Sequence, residues 1–157
     1  MPKSNQIGFL VEDMMASQLS FNLIKNINSY AKNRDDDIVV FFENATSSIL
    51  VPNFSLMSIN EIWNFSGSLF ATNVFTALSM QKAFAPKNKL FYVWDLEWTR
   101  AHGKDFEFII RAFSDKSTTL IARSDEHARA IENYCNRSVN NIVSDFNIEQ
   151  LVRISNE

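Results

Sequence analysis

Asp95, Glu97, Trp98, Arg100 and His102 fall within one short stretch, Asp95-Leu-Glu-Trp-Thr-Arg-Ala-His102. Two carboxylates, an indole, a guanidinium and an imidazole can orient a hydroxyl, take its proton and pack against a ring. A carboxylate beside an imidazole is one way to hold a general base. Asp95, Glu97 and His102 are therefore the candidate catalytic residues, with Trp98 and Arg100 as candidate substrate-binding neighbours. His102 reads equally well as a solvated loop histidine, and Trp98 as a core or interface residue.

Residues 90–94, Leu-Phe-Tyr-Val-Trp, are an unbroken apolar and aromatic run immediately before this stretch. That pattern predicts a strand buried on both faces of a parallel sheet. In open α/β sheets, ligands bind beyond the carboxyl ends of the strands. The strand would thus deliver Asp95 and Glu97 where a ligand docks.

The other elements alternate. Residues 6–11 read as a first strand, and 14 to about 32 as an amphipathic helix with Leu19, Leu23, Ile27 and Tyr30 at helical spacing. Residues 37–42 form a second strand, and 49–51 a short third one. Ser58-x-x-Glu61 resembles a capping box opening a helical turn over 59–64. Residues 68–72 read as a strand, with Thr72-Asn73 capping a helix from 74 to about 84 that Pro86 closes. After the central strand come a helix over 105–113, a strand over 118–122 and a Ser124-capped helix to about 136. A strand over 141–143 and a helix over 147–154 close the chain. Strands alternating with helices in this way predict an α/β fold with a doubly wound, mostly parallel sheet.

Acids recur where the predicted strands end: Glu12 and Asp13, Glu43, Asp95 and Glu97, Asp125 and Glu126, and Asp145. In a parallel sheet they would share one rim, able to bind hydroxyl-rich or cationic ligands or a hard metal through oxygen. Acids also favour helix N-termini, which explains most of them. Asp95 and Glu97 stand apart because no clear helix opens beside them. Glu12, Asp13, Thr72, Asn73 and Ser124, at the other strand ends, complete the candidate substrate-binding set.

Composition narrows the class. The 157 residues suit one domain; 46% are hydrophobic and 21% charged, as in a globular chain. A net charge of −3 without a basic stripe argues against nucleic acid. No apolar stretch reaches the length of a membrane span, and the polar residues 1–6 are no signal peptide. The single cysteine, Cys135, has no internal disulfide partner, which fits a cytoplasmic protein. Gly8, Gly67 and Gly103 are too far apart for a dinucleotide fingerprint, and no P-loop or G-x-S-x-G elbow is present. One cysteine and two histidines argue against a zinc site. No cofactor and no metal are assigned.

Two segments carry a family resemblance. Ser68-Leu-Phe-Ala-Thr-Asn-Val-Phe-Thr-Ala77, followed by a helix and Lys89-Leu-Phe-Tyr-Val-Trp-Asp-Leu-Glu-Trp98, resembles the N-terminal Rossmann-like half of GT-B glycosyltransferases. The likeness is to the family-4-like and rhamnosyltransferase-like members. There, a strand ending in Ala-Thr leads to a helix opening near Thr-Ala. The next strand ends in an aromatic segment with Asp and, two residues on, Glu; Ala71, Thr72, Thr76, Ala77, Asp95 and Glu97 match. Leu120-Ile-Ala-Arg-Ser124 and Asn141-Ile-Val-Ser-Asp-Phe-Asn147 are similar to later strands of that half. The resemblance implies a single Rossmann-like, three-layer αβα domain over residues 1–157, equivalent to the acceptor-side half of such an enzyme.

The family's glycine-rich loop after the first strand is replaced by Glu12-Asp13-Met14-Met15, and the half that binds the nucleotide-sugar donor has no counterpart here. If an enzyme, the chain is then expected to need a partner domain or a homo-oligomer to complete the cleft. It would take a sugar or nucleotide-sugar ligand, with Asp95, Glu97 and His102 orienting an acceptor hydroxyl. A stand-alone remnant is a further option. The alternative is a non-catalytic protein-binding or assembly module; short stand-alone chains of this kind are also similar to tailed-phage accessory proteins.

Overall fold

The structure is a computed structural model that describes residues 5–157; residues 1–4, part of the polar N-terminus considered above, lie outside the described residues. Its strands are β1 (Gln6–Val11), β2 (Asp37–Phe42), β3 (Ser55–Ser58), β4 (Ser68–Ala71), β5 (Asn88–Tyr92), β6 (Thr119–Ala122) and β7 (Asn141–Ile142). Its helices are α1 (Gln18–Ala31), α2 (Val74–Lys82), α3 (Asp105–Ser114), α4 (Asp125–Cys135) and α5 (Ile148–Ser155), with 3₁₀ turns at Ile59–Asn64 and Glu97–Arg100.

The strands form one sheet in the order β3-β2-β1-β4-β5-β6-β7, and every neighbouring pair is parallel. The chain winds outward from β1 to β3, then returns to lay β4 on the other side of β1. The sheet therefore has a switch point between β1 and β4, the place where open α/β sheets bind ligands. Apolar residues of α1 and α5, among them Leu23, Ile27, Leu151 and Val152, share a core with Phe9, Val40 and Tyr92 on one face. Residues of α2, α3 and α4, including Ala77, Met80, Phe113 and Ile131, share the other with Phe41, Leu69 and Phe91. This is a Rossmann-like, three-layer α/β domain.

β5 explains the unbroken apolar run. Phe91 and Val93 enter one core while Leu90, Tyr92 and Trp94 enter the other, so both faces are dry. The regular strand ends at Tyr92, two residues before the expected end, yet Val93 N–H still reaches the Ile121 carbonyl at 2.9 Å. The Tyr92 hydroxyl donates to the Val143 carbonyl, tying β5 to the turn before α5, and burial pushes its pKa up to about 12.

Two further departures from expectation are larger. Residues 49–51 are not a strand. Ile49 N–H bonds the Met14 carbonyl and Asn28 of α1 pins the following loop, donating to Val51 O at 2.9 Å and accepting from Asn53 N at 2.8 Å. The third strand is Ser55–Ser58, an exposed edge reached from β2 without a crossover helix. Likewise α1 starts at Gln18, because Ser17 accepts from Ser20 N at 3.0 Å and caps it there, while Met14 is buried in the preceding loop. Among the described residues, no helix is long and apolar enough to cross a membrane.

Candidate functional site

Parallel strands place all the strand-end residues on one rim, and the switch point places Glu12, just after β1, beside Asn73, just after β4. Asn73 caps α2 reciprocally: its Oδ1 accepts from Thr76 N at 2.8 Å, and its own N–H donates to Thr76 Oγ1 at 3.1 Å. Its side-chain nitrogen lies 3.5 Å from Glu12 Oε2. Asp13 is turned to its own loop, accepting from Met15 N at 2.9 Å. Glu43 follows β2, its N–H bonded to the Val11 and Glu12 carbonyls.

Glu97 is the rim carboxylate drawn furthest in. It opens a 3₁₀ turn, contrary to the expectation that no helical segment starts beside it, and its Oε1 accepts from Val74 N at 2.9 Å. Glu97 thus supplies an acidic partner to the first turn of α2 from 23 positions away in the chain. Burial raises its pKa above the usual carboxylate range. The Val74 N–H and the Arg100 guanidinium oppose that rise, while the charges of Asp95 and Glu12 add to it. The other carboxylate oxygen has no hydrogen-bond partner among the described residues.

Asp95 sits in the open. Its Oδ2 pairs with Arg100 Nη2 at 2.6 Å, both side chains being largely exposed. His102 is exposed as well, and its imidazole makes no hydrogen bond or ion pair among the described residues. The expected Asp95–His102 couple is therefore not formed; the arginine five residues along takes the carboxylate instead.

Three of the candidates make contacts within the scaffold. Thr72 is buried, and its hydroxyl donates to the Leu10 carbonyl at 2.7 Å, stitching β4 to β1 across the switch point. Ser124 Oγ accepts from His127 N at 3.1 Å and caps α4. Trp98 stacks on Tyr134 of α4 with ring centroids 4.2 Å apart and planes at 4°, and meets Phe113 edge-on. Its indole closes the α3–α4 side of the core.

Arg123, His127, Phe75 and Phe108 are not among the site residues expected from the sequence. Arg123 follows β6, lays its guanidinium 3.6 Å from the centre of the Trp94 ring and donates to the Trp94 carbonyl at 3.1 Å. The signal was available: it is the one basic residue directly before a capping serine at a strand end. His127 Nδ1 is buried without a hydrogen-bond partner among the described residues, and burial together with Arg123 lowers its pKa, partly offset by Asp95. Phe75 and Phe108 flank a hollow of about 230 Å³ between α2, the 97–100 turn and α3, with Glu97 and Arg100 also in its lining. Among the described residues, no three His, Cys, Asp or Glu side chains converge as metal ligands.

The rim therefore offers one half-buried carboxylate with a free oxygen beside a small hollow, and a neutralised Asp95–Arg100 pair at its edge. That arrangement can accept a hydrogen bond from a hydroxyl and receive its proton. Comparisons with protein-family models, curated proteins and solved structures find no match to this chain.

Proposed function

We propose that the chain is a glycosyltransferase-like domain serving the acceptor side of a GT-B-type cleft. Glu97 receives the acceptor hydroxyl on its free oxygen, while Asp95 and Arg100 hold the ligand at the mouth and His102 and Glu12 border it. In the transfer step the hydroxyl proton passes to Glu97. The acceptor oxygen bonds to the sugar's anomeric carbon as the nucleotide diphosphate leaves with the bonding pair. Positioning both substrates and excluding water needs a covering surface, supplied by a partner domain or a second copy bearing the donor site. The observation that supports this reading is the half-buried, raised-pKa carboxylate of Glu97 at the carboxyl end of β5. The free, half-buried thiol of Cys135 suits a reducing, cytoplasmic setting.

A thermal-shift series with simple glycosides and nucleotide sugars tests it. Stabilisation should grow with ligand concentration and disappear in Asp95→Ala, whose unliganded melting temperature stays near that of the wild type. If no sugar or nucleotide sugar stabilises the protein, alone or in its native assembly, the reading fails. A second reading, a non-catalytic assembly module, is favoured by the exposed pair Trp63 and Phe84, 50% and 94% accessible with ring centroids 6.5 Å apart. A molecular-mass measurement showing a complex that no sugar perturbs would favour it.

A further inference from the structure

The hollow beside Glu97 is selective by size and lining. At about 230 Å³ it exceeds the roughly 150 Å³ that holds a benzene ring but stays below the usual range for drug-sized ligands. It admits one six-membered ring with a small substituent. Its floor is apolar, formed by the buried Val74 and Ile109. Its walls are the rings of Phe75 and Phe108, which are 54% and 39% accessible. Their centroids are 6.2 Å apart and their planes tilted by 41°, so each leaves ring surface uncovered.

Polar partners are confined to the edge. Glu97 has one oxygen held by Val74 N–H and one free; Arg100 is tied to Asp95; Asp105 lies at the start of α3. A pyranose seated here would press several hydroxyls against a floor without donors or acceptors, and unpaired buried hydroxyls weaken binding. A carboxylate ligand would meet the charges of Glu97 and Asp105, with the Arg100 charge already balanced by Asp95. An aromatic ring suits the floor and both walls, and a single hydroxyl on it matches the single free oxygen.

The geometry points to a phenol-type ligand, with one aromatic ring over Val74 and Ile109 and against the exposed faces of Phe75 and Phe108, and its hydroxyl on the free oxygen of Glu97. This rests on the acceptor-site reading and names the ligand class of that site. The upward shift of the Glu97 pKa is consistent with it, since a carboxylate of raised proton affinity shares a phenolic proton more readily.

The test is an amide-resolved NMR titration of the full chain with p-cresol, toluene, benzylamine and methyl β-glucoside. Each is taken to about 10 mM, where even millimolar affinity registers. p-Cresol should give saturable shifts centred on Val74, Phe75 and Ile109, and bind about tenfold more tightly than the other three probes. The double substitution Phe75→Ala/Phe108→Ala changes two exposed side chains, and its amide spectrum reports whether the fold is kept. It should weaken p-cresol by about tenfold or more. Glu97→Gln keeps the Val74 bond through its amide oxygen but turns the free acceptor into a donor, so it should erase the preference of p-cresol over toluene. The proposal is overturned if p-cresol gives no saturable shift, or if benzylamine or the glucoside binds best. It is also overturned if either variant leaves p-cresol binding unchanged. Should p-cresol fail while glycosides still stabilise the wild type and not Asp95→Ala, only the ligand class is lost. Should p-cresol bind while no sugar or nucleotide sugar does, the pocket stands and the glycosyltransferase reading falls.

Discussion

Glu97 Oε1 accepts a hydrogen bond from the backbone N–H of Val74 at 2.9 Å, so the turn after β5 supplies the acid at the start of α2. Two opposing effects meet in that carboxyl group. The helix terminus and its N–H favour the ionised form, while burial disfavours it, and burial is the larger.

The sign of that balance sets a pH dependence. The folded chain holds the Glu97 proton to higher pH than the unfolded chain does. Glu97 therefore contributes most to stability below the ordinary carboxylate range, and that contribution falls as pH rises from the unfolded value through the folded one. Glu97→Gln mimics the protonated form at every pH and keeps the Val74 bond. Its melting temperature should exceed that of the wild type at about pH 8, and the gap should close near pH 4. A wild type more stable than Glu97→Gln at the higher pH would show that the helix terminus outweighs burial.

Thr72 and Asn73 make a second prediction, because adjacent residues at the switch point do different work. The Thr72 hydroxyl is buried against the Leu10 carbonyl, so Thr72→Val should lower stability by about 1–3 kcal/mol. Asn73→Ala removes a half-exposed cap and should lower it by about 1 kcal/mol, with Asn73→Asp recovering most of that. Urea unfolding orders the two. Thr72→Val should also leave ligand affinity unchanged, since its side chain faces β1 and not the rim. A loss of affinity at unchanged stability would place Thr72 on the binding surface.

What the sequence discloses follows from how local each cause is. β5 is legible because burial on both faces writes an uninterrupted apolar run, and the Asn73 and Ser124 caps because a cap acts within three residues. β3 is not, since an exposed edge strand such as Ser55–Ser58 has no dry face to impose alternation. The apolar residues at 49–51 suggested a strand there, but Leu50 packs on the core as part of a loop held by Asn28. At the rim, residue types were readable and partners were not. Trp98 turns to Tyr134, Thr72 to Leu10 and Arg123 to Trp94, each joining distant parts of the chain. Spacing within one segment carries no trace of such pairings. The Asp95–Arg100 pair displaced the expected Asp95–His102 couple for a local reason: the 3₁₀ turn over Glu97–Arg100 brings the arginine back toward Asp95.

Two glycines bear on how tightly β1 and β4 approach, and they should respond differently to a methyl group. A Cβ on Gly67, just before β4, would lie 2.1 Å from the Gln6 carbonyl oxygen, a backbone atom of the neighbouring strand. A Cβ on Gly8 would lie 2.6 Å from Leu69 Cδ2 and 2.8 Å from Phe41 Cε2, both side-chain atoms of the core. Side chains can shift by changing rotamer, whereas the backbone gives way only if β1 and β4 part at their amino ends. Gly8→Ala should therefore fold with a loss of about 1–3 kcal/mol, the usual effect of overpacking, and Gly67→Ala should lose more. Urea midpoints at equal slope decide the order. Because Gly67 lies at the opposite end of β4 from Asn73, a Gly67→Ala chain that still folds should bind rim ligands with unaltered affinity. Equal losses at the two positions would mean that the strands separate at Gly67 as easily as core side chains repack around Gly8. The close pairing of β1 with β4 would then be softer than these contacts imply.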